Sequence, residues 1–173
     1  MVIRAFFDVT LIRTELRKDA DDNPRVVRNN ITSGEDTRLN FTSHLHQALK
    51  GKGFGVFFDE ELQRGERISP ALSRAIEASR LSIIVLSKDY ASSKSCLAEL
   101  SEIMDRKETH GQIVLPIFYH VDPSDVRNFG GSFKASFVVH ESDRPREVER
   151  WKAAFAEAGN LKGWHIKRGK SDR

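Results

Sequence analysis

The pattern of the chain predicts an α/β fold: a parallel sheet of five strands, ordered 2-1-3-4-5, with helices on both faces. Three features point there. Residues 81–86, LSIIVL, are nearly all apolar with no alternation at 83–86, as in a strand buried on both faces. A serine-rich loop, Ser87–Lys94, follows, and then Leu97, Leu100, Ile103 and Met104 recur at helical spacing. The same alternation of strand and helix repeats along the chain, which favours parallel, doubly wound topologies with helices on both faces. The natural order for such a sheet is flavodoxin-like, and its ligands sit beyond the carboxyl ends of the strands.

The elements follow in order. Ala5–Ile12 has six apolar residues in eight and makes a good strand, whereas 25–32 contains Arg28, Asn29 and Asn30 and makes a poor one. A central strand must be apolar on both faces, so Ala5–Ile12 is expected at the sheet centre, with 14–33 as an inserted loop. Gly34–Thr37 reads as a turn before a helix over 38–50, with Phe41, Leu45, Ala48 and Leu49 inward and Gly51 and Gly53 at its end. Residues 54–58 form the next strand, and 59–67, DEELQRGER, a charged loop. Ser69-Pro70 opens a helix carrying Leu72, Ala75 and Ile76. After the 81–86 strand, its helix ends near His110-Gly111. A strand over 113–118, a short turn capped by Asp122, and helices over 132–140 and 146–161 complete the pattern, the last with Trp151, Ala154, Phe155, Ala158 and Leu161. Gly163 stops that helix, Trp164–Ile166 makes a last short strand, and the polar tail frays.

Composition narrows the function classes. At 173 residues the chain fits one domain with a real core. With 28 basic and 25 acidic residues the net charge is only +3, too balanced to argue for nucleic acid. A lone cysteine, Cys96, excludes an internal disulfide and fits a reducing compartment. No apolar run is long enough to span a membrane, and the start carries Arg4 and Asp8 without a signal-cleavage site. The six histidines lack metal-ligand spacing, so no metal is expected, and His165 reads as a surface or strand-edge residue. Cys96 reads as packing, since no base accompanies it.

Glu99 draws attention because it follows the loop after the buried strand and lies beside the apolar stripe, where a carboxylate can face a cleft. Its plain alternative is a first-turn glutamate favoured by the helix dipole, and pattern alone prefers that alternative.

Five stretches together resemble the plant TIR domain, the Toll/interleukin-1 receptor-like module of immune receptors. They are GEDTRLNFTSHLHQAL, DEELQRGERISPAL, AIEASRLSIIVLSKDYASSKSCLAEL, IVLPIFYHVDPSDVR and WKAAFAEAGNLKGWHI, running from Gly34 to Ile166 in one order. The resemblance implies a flavodoxin-like core over 34–166, preceded by an atypical segment 1–33 that supplies the first strand and the inserted loop, and followed by the tail 167–173. It implies cleavage of the nicotinamide–ribose bond of NAD in plant innate immune signalling, with NAD as substrate and no cofactor, activated by self-association.

In that family's pattern C-L-x-E-L, Glu99 matches the catalytic glutamate. Breaking the bond builds oxocarbenium character, which a nearby anion stabilises. Gly34, Glu35, Asp36, Thr37 and Arg38 would line the phosphate or ribose side at a helix start. Arg64 and Gly65 match a loop over the nucleotide, and Ser93 joins the substrate side. Ser43 and His44 match the self-association pair on the first helix, and other TIR domains are the implied partners. The implied compartment is the cytoplasm, with the nucleus as alternative.

The chain also departs from the family. Ser95 stands where tryptophan usually precedes the cysteine, and Ser33 where arginine usually precedes Gly34. The family's final helix, after the strand matching GWHI, is not expected within residues 167–173. These departures keep a second class open: a TIR interaction module, catalytically weak or inactive, that binds other TIR domains. Nucleic-acid processing has only the tail KRGK in its favour.

Overall fold

The computed structural model describes residues 2–5, 37–52, 56–58 and 81–167. In chain order these form β1 (Val2–Ala5), α1 (Thr37–Gly51), β2 (Val56–Phe58), β3 (Leu81–Leu86), a 3-10 turn (Tyr90–Ser92), α2 (Lys94–His110) and β4 (Ile113–Tyr119). Then come α3 (Pro123–Asn128), α4 (Ser132–Asp143), α5 (Val148–Asn160) and β5 (Trp164–Ile166). The sheet has the expected order, β2-β1-β3-β4-β5.

β3 is the spine. All six of its residues are buried, as a nearly all-apolar run predicts, with Ser82 the one polar member. It pairs in parallel with β4 from Leu81 opposite Ile113 to Leu86 opposite Phe118. β4 in turn pairs in parallel with β5 from Ile117 opposite Trp164 to Tyr119 opposite Ile166. Pro116 lies just before that second ladder begins, where a strand tolerates a missing N–H.

Alternation along β3 and β4 divides the core in two. Ile84, Leu86 and Phe118 pack with Leu97, Leu100, Ile103 and Met104 of α2, Phe133 and Phe137 of α4, and Trp151 and Phe155 of α5. Leu81, Ile83, Val85, Leu115, Ile117 and Tyr119 pack with Leu45 and Leu49 of α1. Each such apolar side chain contributes about 1.5–3 kcal/mol by leaving water.

The central strand differs from expectation. The strand between β2 and β3 is Val2–Ala5, sharing only Ala5 with the expected 5–12. Residues 6–12, and the weaker candidate 25–32, lie outside the described residues. β1 runs antiparallel to both neighbours, Ala5 facing Leu81 and Val56, whereas the other described pairings are parallel. A strand feeding straight into a crossover helix must lie parallel to the next strand. Residues 6–36 separate β1 from α1, so that constraint does not act on it.

Smaller differences concern boundaries and faces. α2 begins at Lys94, earlier than its apolar stripe, and α4 extends to Asp143. In α1, Ala48 is exposed and Thr42 is buried in its stead, beside Leu45 and Leu49. The expected 54–58 strand is observed at Val56–Phe58, and the helix expected after Ser69-Pro70 lies outside the described residues.

Candidate functional site

The parallel pair β3–β4 brings the carboxyl ends of both strands to one edge of the sheet. Ser87 continues from β3 into a tight turn: the Tyr90 amide donates to Ser87 O at 2.9 Å and the Ser92 amide to Asp89 O at 3.1 Å. Ser93 then leaves the turn in extended conformation and caps α2. Its Oγ accepts from the Cys96 amide at 3.3 Å, and its carbonyl accepts from the Leu97 amide at 3.1 Å. Tyr90, 1% exposed, reaches from the turn into α2, its hydroxyl donating to Cys96 O at 3.2 Å. Both backbone groups of Cys96 are thus tied to the loop that precedes it.

That frame fixes Glu99, one helical turn beyond Ser95 on the same face of α2. Glu99 is 4% exposed and Ser95 is also buried. The first turn of α2 contains no acid, so Glu99 lies in the second turn. Helix-dipole stabilisation fades beyond the first turn and does not account for a buried carboxylate at that depth. The plain reading of Glu99 as a first-turn acid is therefore corrected.

The other expected site residues fall in different places. Ser93 is half-buried at the start of α2, its oxygen accepting from the Cys96 amide. Thr37 and Arg38 are the first two residues of α1, at a helix N-terminus as expected. Gly34, Glu35, Asp36, Arg64 and Gly65 lie outside the described residues. Ser43 is half-buried and His44 exposed midway along α1. Cys96 is partly buried, in no disulfide, and packed against the first core, and His165 is exposed on β5, where it edges the described sheet.

Sequence reasoning overlooked two neighbours of the loop. One is the 3-10 turn itself, hidden in what read as an unstructured serine-rich stretch. The other is His140 on α4, buried among aromatics with Nε2 2.7 Å from Ala91 O. Its signal was available: Phe133, Phe137 and His140 follow the i, i+4, i+7 spacing of a buried stripe. At the far corner of the same sheet edge, His120 adopts φ 56°, its ring stacked 4.1 Å from that of Tyr119. Asp122, two residues further on, caps α3 through Ser124, and hydrogen bonds from Ser124 hold its carboxyl below the usual range. Among the described residues no cluster of histidine, cysteine and acidic side chains could hold a metal ion, and no helix is long and apolar enough to cross a membrane.

Fold and site together define an α/β module with its candidate carboxylate on the helix that follows a buried parallel strand. The TIR domain family model matches residues 31–173, and the chain belongs to that family. It is similar to the disease resistance protein RPV1 of Vitis rotundifolia, 51% identical over 133 residues, covering 77% of this chain and 10% of that protein. Similarity to the TMV resistance protein N of Nicotiana glutinosa is 48% over 143 residues, covering 80% and 12%. The chain thus spans about a tenth of the length of these relatives. Among solved structures, it resembles the TIR domains of the activated Roq1 resistosome, described as directly recognizing the pathogen effector XopQ. The TM-score there is 0.69 at 43% identity, covering 76% of this chain and 82% of that one.

Proposed function

We propose that this TIR domain cleaves the nicotinamide–ribose bond of NAD in plant immune signalling, with Glu99 as the essential carboxylate. The observation that carries this reading is the burial of Glu99 in the second turn of α2, at 4% exposure, on a helix whose start is clamped by Ser93 and Tyr90. A buried acid has a solvation cost, and a position held this firmly suits a group that must meet charge as it develops. The bond from ribose C1′ to the ring nitrogen breaks with its electron pair moving to nicotinamide, whose positive charge it neutralises. Glu99 holds the ribose hydroxyls and stabilises the oxocarbenium character at C1′. Water then adds at C1′ and loses a proton, or an adenine nitrogen of the same molecule adds and closes a ring. Ser93, Thr37 and Arg38, with Gly34, Glu35, Asp36, Arg64 and Gly65, bind the rest of the dinucleotide.

Incubating concentrated protein with NAD and following nicotinamide release tests this directly. Wild type releases it and Glu99→Ala does not; equal release by both proteins removes Glu99 from the chemistry.

A second reading is an interaction module that binds other TIR domains with little catalysis. Ser95, buried where the family's tryptophan would stand, favours it. So does the likeness to TIR domains within a resistosome. Either way the domain self-associates, with Ser43 and His44 on α1 in the contact, and acts in the cytoplasm. Light scattering reads this: Ser43→Ala/His44→Ala shifts the protein toward monomer, and a dimer indifferent to both changes places the contact elsewhere.

A further inference from the structure

The loop that precedes α2 does not satisfy itself. Of the carbonyls from Ser87 to Ala91, three accept from backbone amides within the turn: Ser87 from Tyr90, Asp89 from Ser92, and Tyr90 from Ser93. The other two are taken by side chains of α4. Ser132 Oγ donates to Lys88 O at 2.8 Å, and His140 Nε2 lies 2.7 Å from Ala91 O. A carbonyl only accepts, so Nε2 carries the proton. Ala91 is fully buried, and water cannot replace that donor.

The choice of residue is informative. His140 is 3% exposed, edge-on to Trp151 with ring centres 5.5 Å apart and close to Phe137. Its other nitrogen, Nδ1, is buried with no hydrogen-bond partner among the described residues. A phenylalanine would fill this aromatic niche without burying an unpaired nitrogen. What histidine adds is one N–H directed at Ala91.

We propose that His140 is a positioning residue for the site on α2: its hydrogen bond to Ala91 fixes the turn that sets where α2 begins, and with it where Glu99 stands. The chain of contacts is continuous. His140 holds Ala91, the middle of the 3-10 turn; the adjacent Tyr90 holds Cys96; Ser93 caps the helix; Glu99 stands one turn on. The catalytic consequence rests on the NAD-cleaving reading above, whereas the effect on the loop does not.

The test uses His140→Leu, which removes the donor, and His140→Gln, whose amide nitrogen can reach the same carbonyl. Amide hydrogen exchange reads the loop, whether or not the protein turns over NAD. In His140→Leu the Ser93, Cys96 and Leu97 amides exchange about tenfold faster while those of Ile103 and Met104 hold. His140→Gln restores the wild-type rates. In turnover, His140→Leu lowers kcat about tenfold, with KM moving less than about threefold, and His140→Gln recovers most of it. Unchanged exchange at the three amides in His140→Leu overturns the proposal. So does exchange rising equally along all of α2 without rescue by glutamine, which marks ordinary packing loss. Loosened amides with an unaltered kcat overturn the catalytic consequence. If wild type releases no nicotinamide, the enzymatic reading fails and the exchange rates alone decide the role of His140.

Discussion

The Tyr90 hydroxyl donates to the Cys96 carbonyl across 3.2 Å, bridging the turn after β3 and the first turn of α2. The same ring packs 6.2 Å from that of Phe155, on α5. Tyr90→Phe removes the donor and keeps the packing. A buried hydrogen bond of this kind contributes about 1 kcal/mol, so the expected loss of stability is about that size. The measurement is a urea denaturation midpoint with unchanged slope; a variant as stable as wild type would mean that the hydroxyl is solvated instead.

Much of this frame is legible in the sequence, and the reasons for the remainder are physical. Residues 81–86 could be placed because a strand buried on both faces must be apolar throughout, and Trp151, Ala154, Phe155 and Ala158 because a buried helix face repeats at helical spacing. The position of Glu99 just past the loop was equally readable. Its depth in α2 was not, because that depends on Ser93 acting as cap, and four serines lie close together there. β1 begins at Val2, ahead of the expected strand, because a strand's start is set by backbone pairing with distant partners, which leaves little trace in side-chain pattern. Antiparallel pairing of β1 is likewise a property of the sheet and not of the sequence VIRA.

Helix α5 crosses α3 at Gly159. A β-carbon built there would lie 2.5 Å from Arg127 N and 2.8 Å from Arg127 Cα, both backbone atoms. Alanine gains about 1 kcal/mol in helix propensity, but overpacking against backbone costs about 1–3 kcal/mol or more. Gly159→Ala is therefore expected to lower Tm by several degrees, roughly 2–4 °C per kcal/mol for a domain of this size. Ala153→Gly, on the exposed face of the same helix, supplies the comparison: it costs propensity alone. Calorimetry in which Gly159→Ala melts above wild type would contradict the close approach.

Lys94 at the start of α2 forms an ion pair with Asp143 at the end of α4. The Lys94 hydrogen bond, then its charge, holds the Asp143 carboxyl below its ordinary value of 3.8. A lowered folded value has a defined sign: the stabilisation is present above the ordinary value and is lost as pH falls through the lowered one. Both groups are well exposed, so the effect on stability is small and salt-sensitive. Carbon-detected NMR titration should find Asp143 ionising below 3.8 and moving upward in Lys94→Met. An Asp143 that titrates identically in both proteins would show that the pair does not persist in solution.

Ser82 is the polar exception within β3. It is fully buried between Leu81 and Ile83, opposite Val114 on β4, and its Oγ finds no hydrogen-bond partner among the described residues. Its side chain shares the face of Ile84 and Leu86, the face covered by α2, α4 and α5. Leaving a hydroxyl unsatisfied there costs about 1–3 kcal/mol relative to a satisfied one. Alanine removes the oxygen while leaving a void of only about one atom, whose cavity cost is smaller than the desolvation relieved. Ser82→Ala should therefore raise stability by about 1 kcal/mol, which two-state urea denaturation can resolve. Ser82→Val tests the same position from the other side. Its β-branched side chain suits a parallel strand, yet its added methyl must fit beneath α2, so its gain should fall below that of alanine if the interface is already close-packed. A Ser82→Ala protein that unfolds at lower urea than wild type would mean that the hydroxyl has a partner, and that β3 carries a polar contact which this packing does not contain.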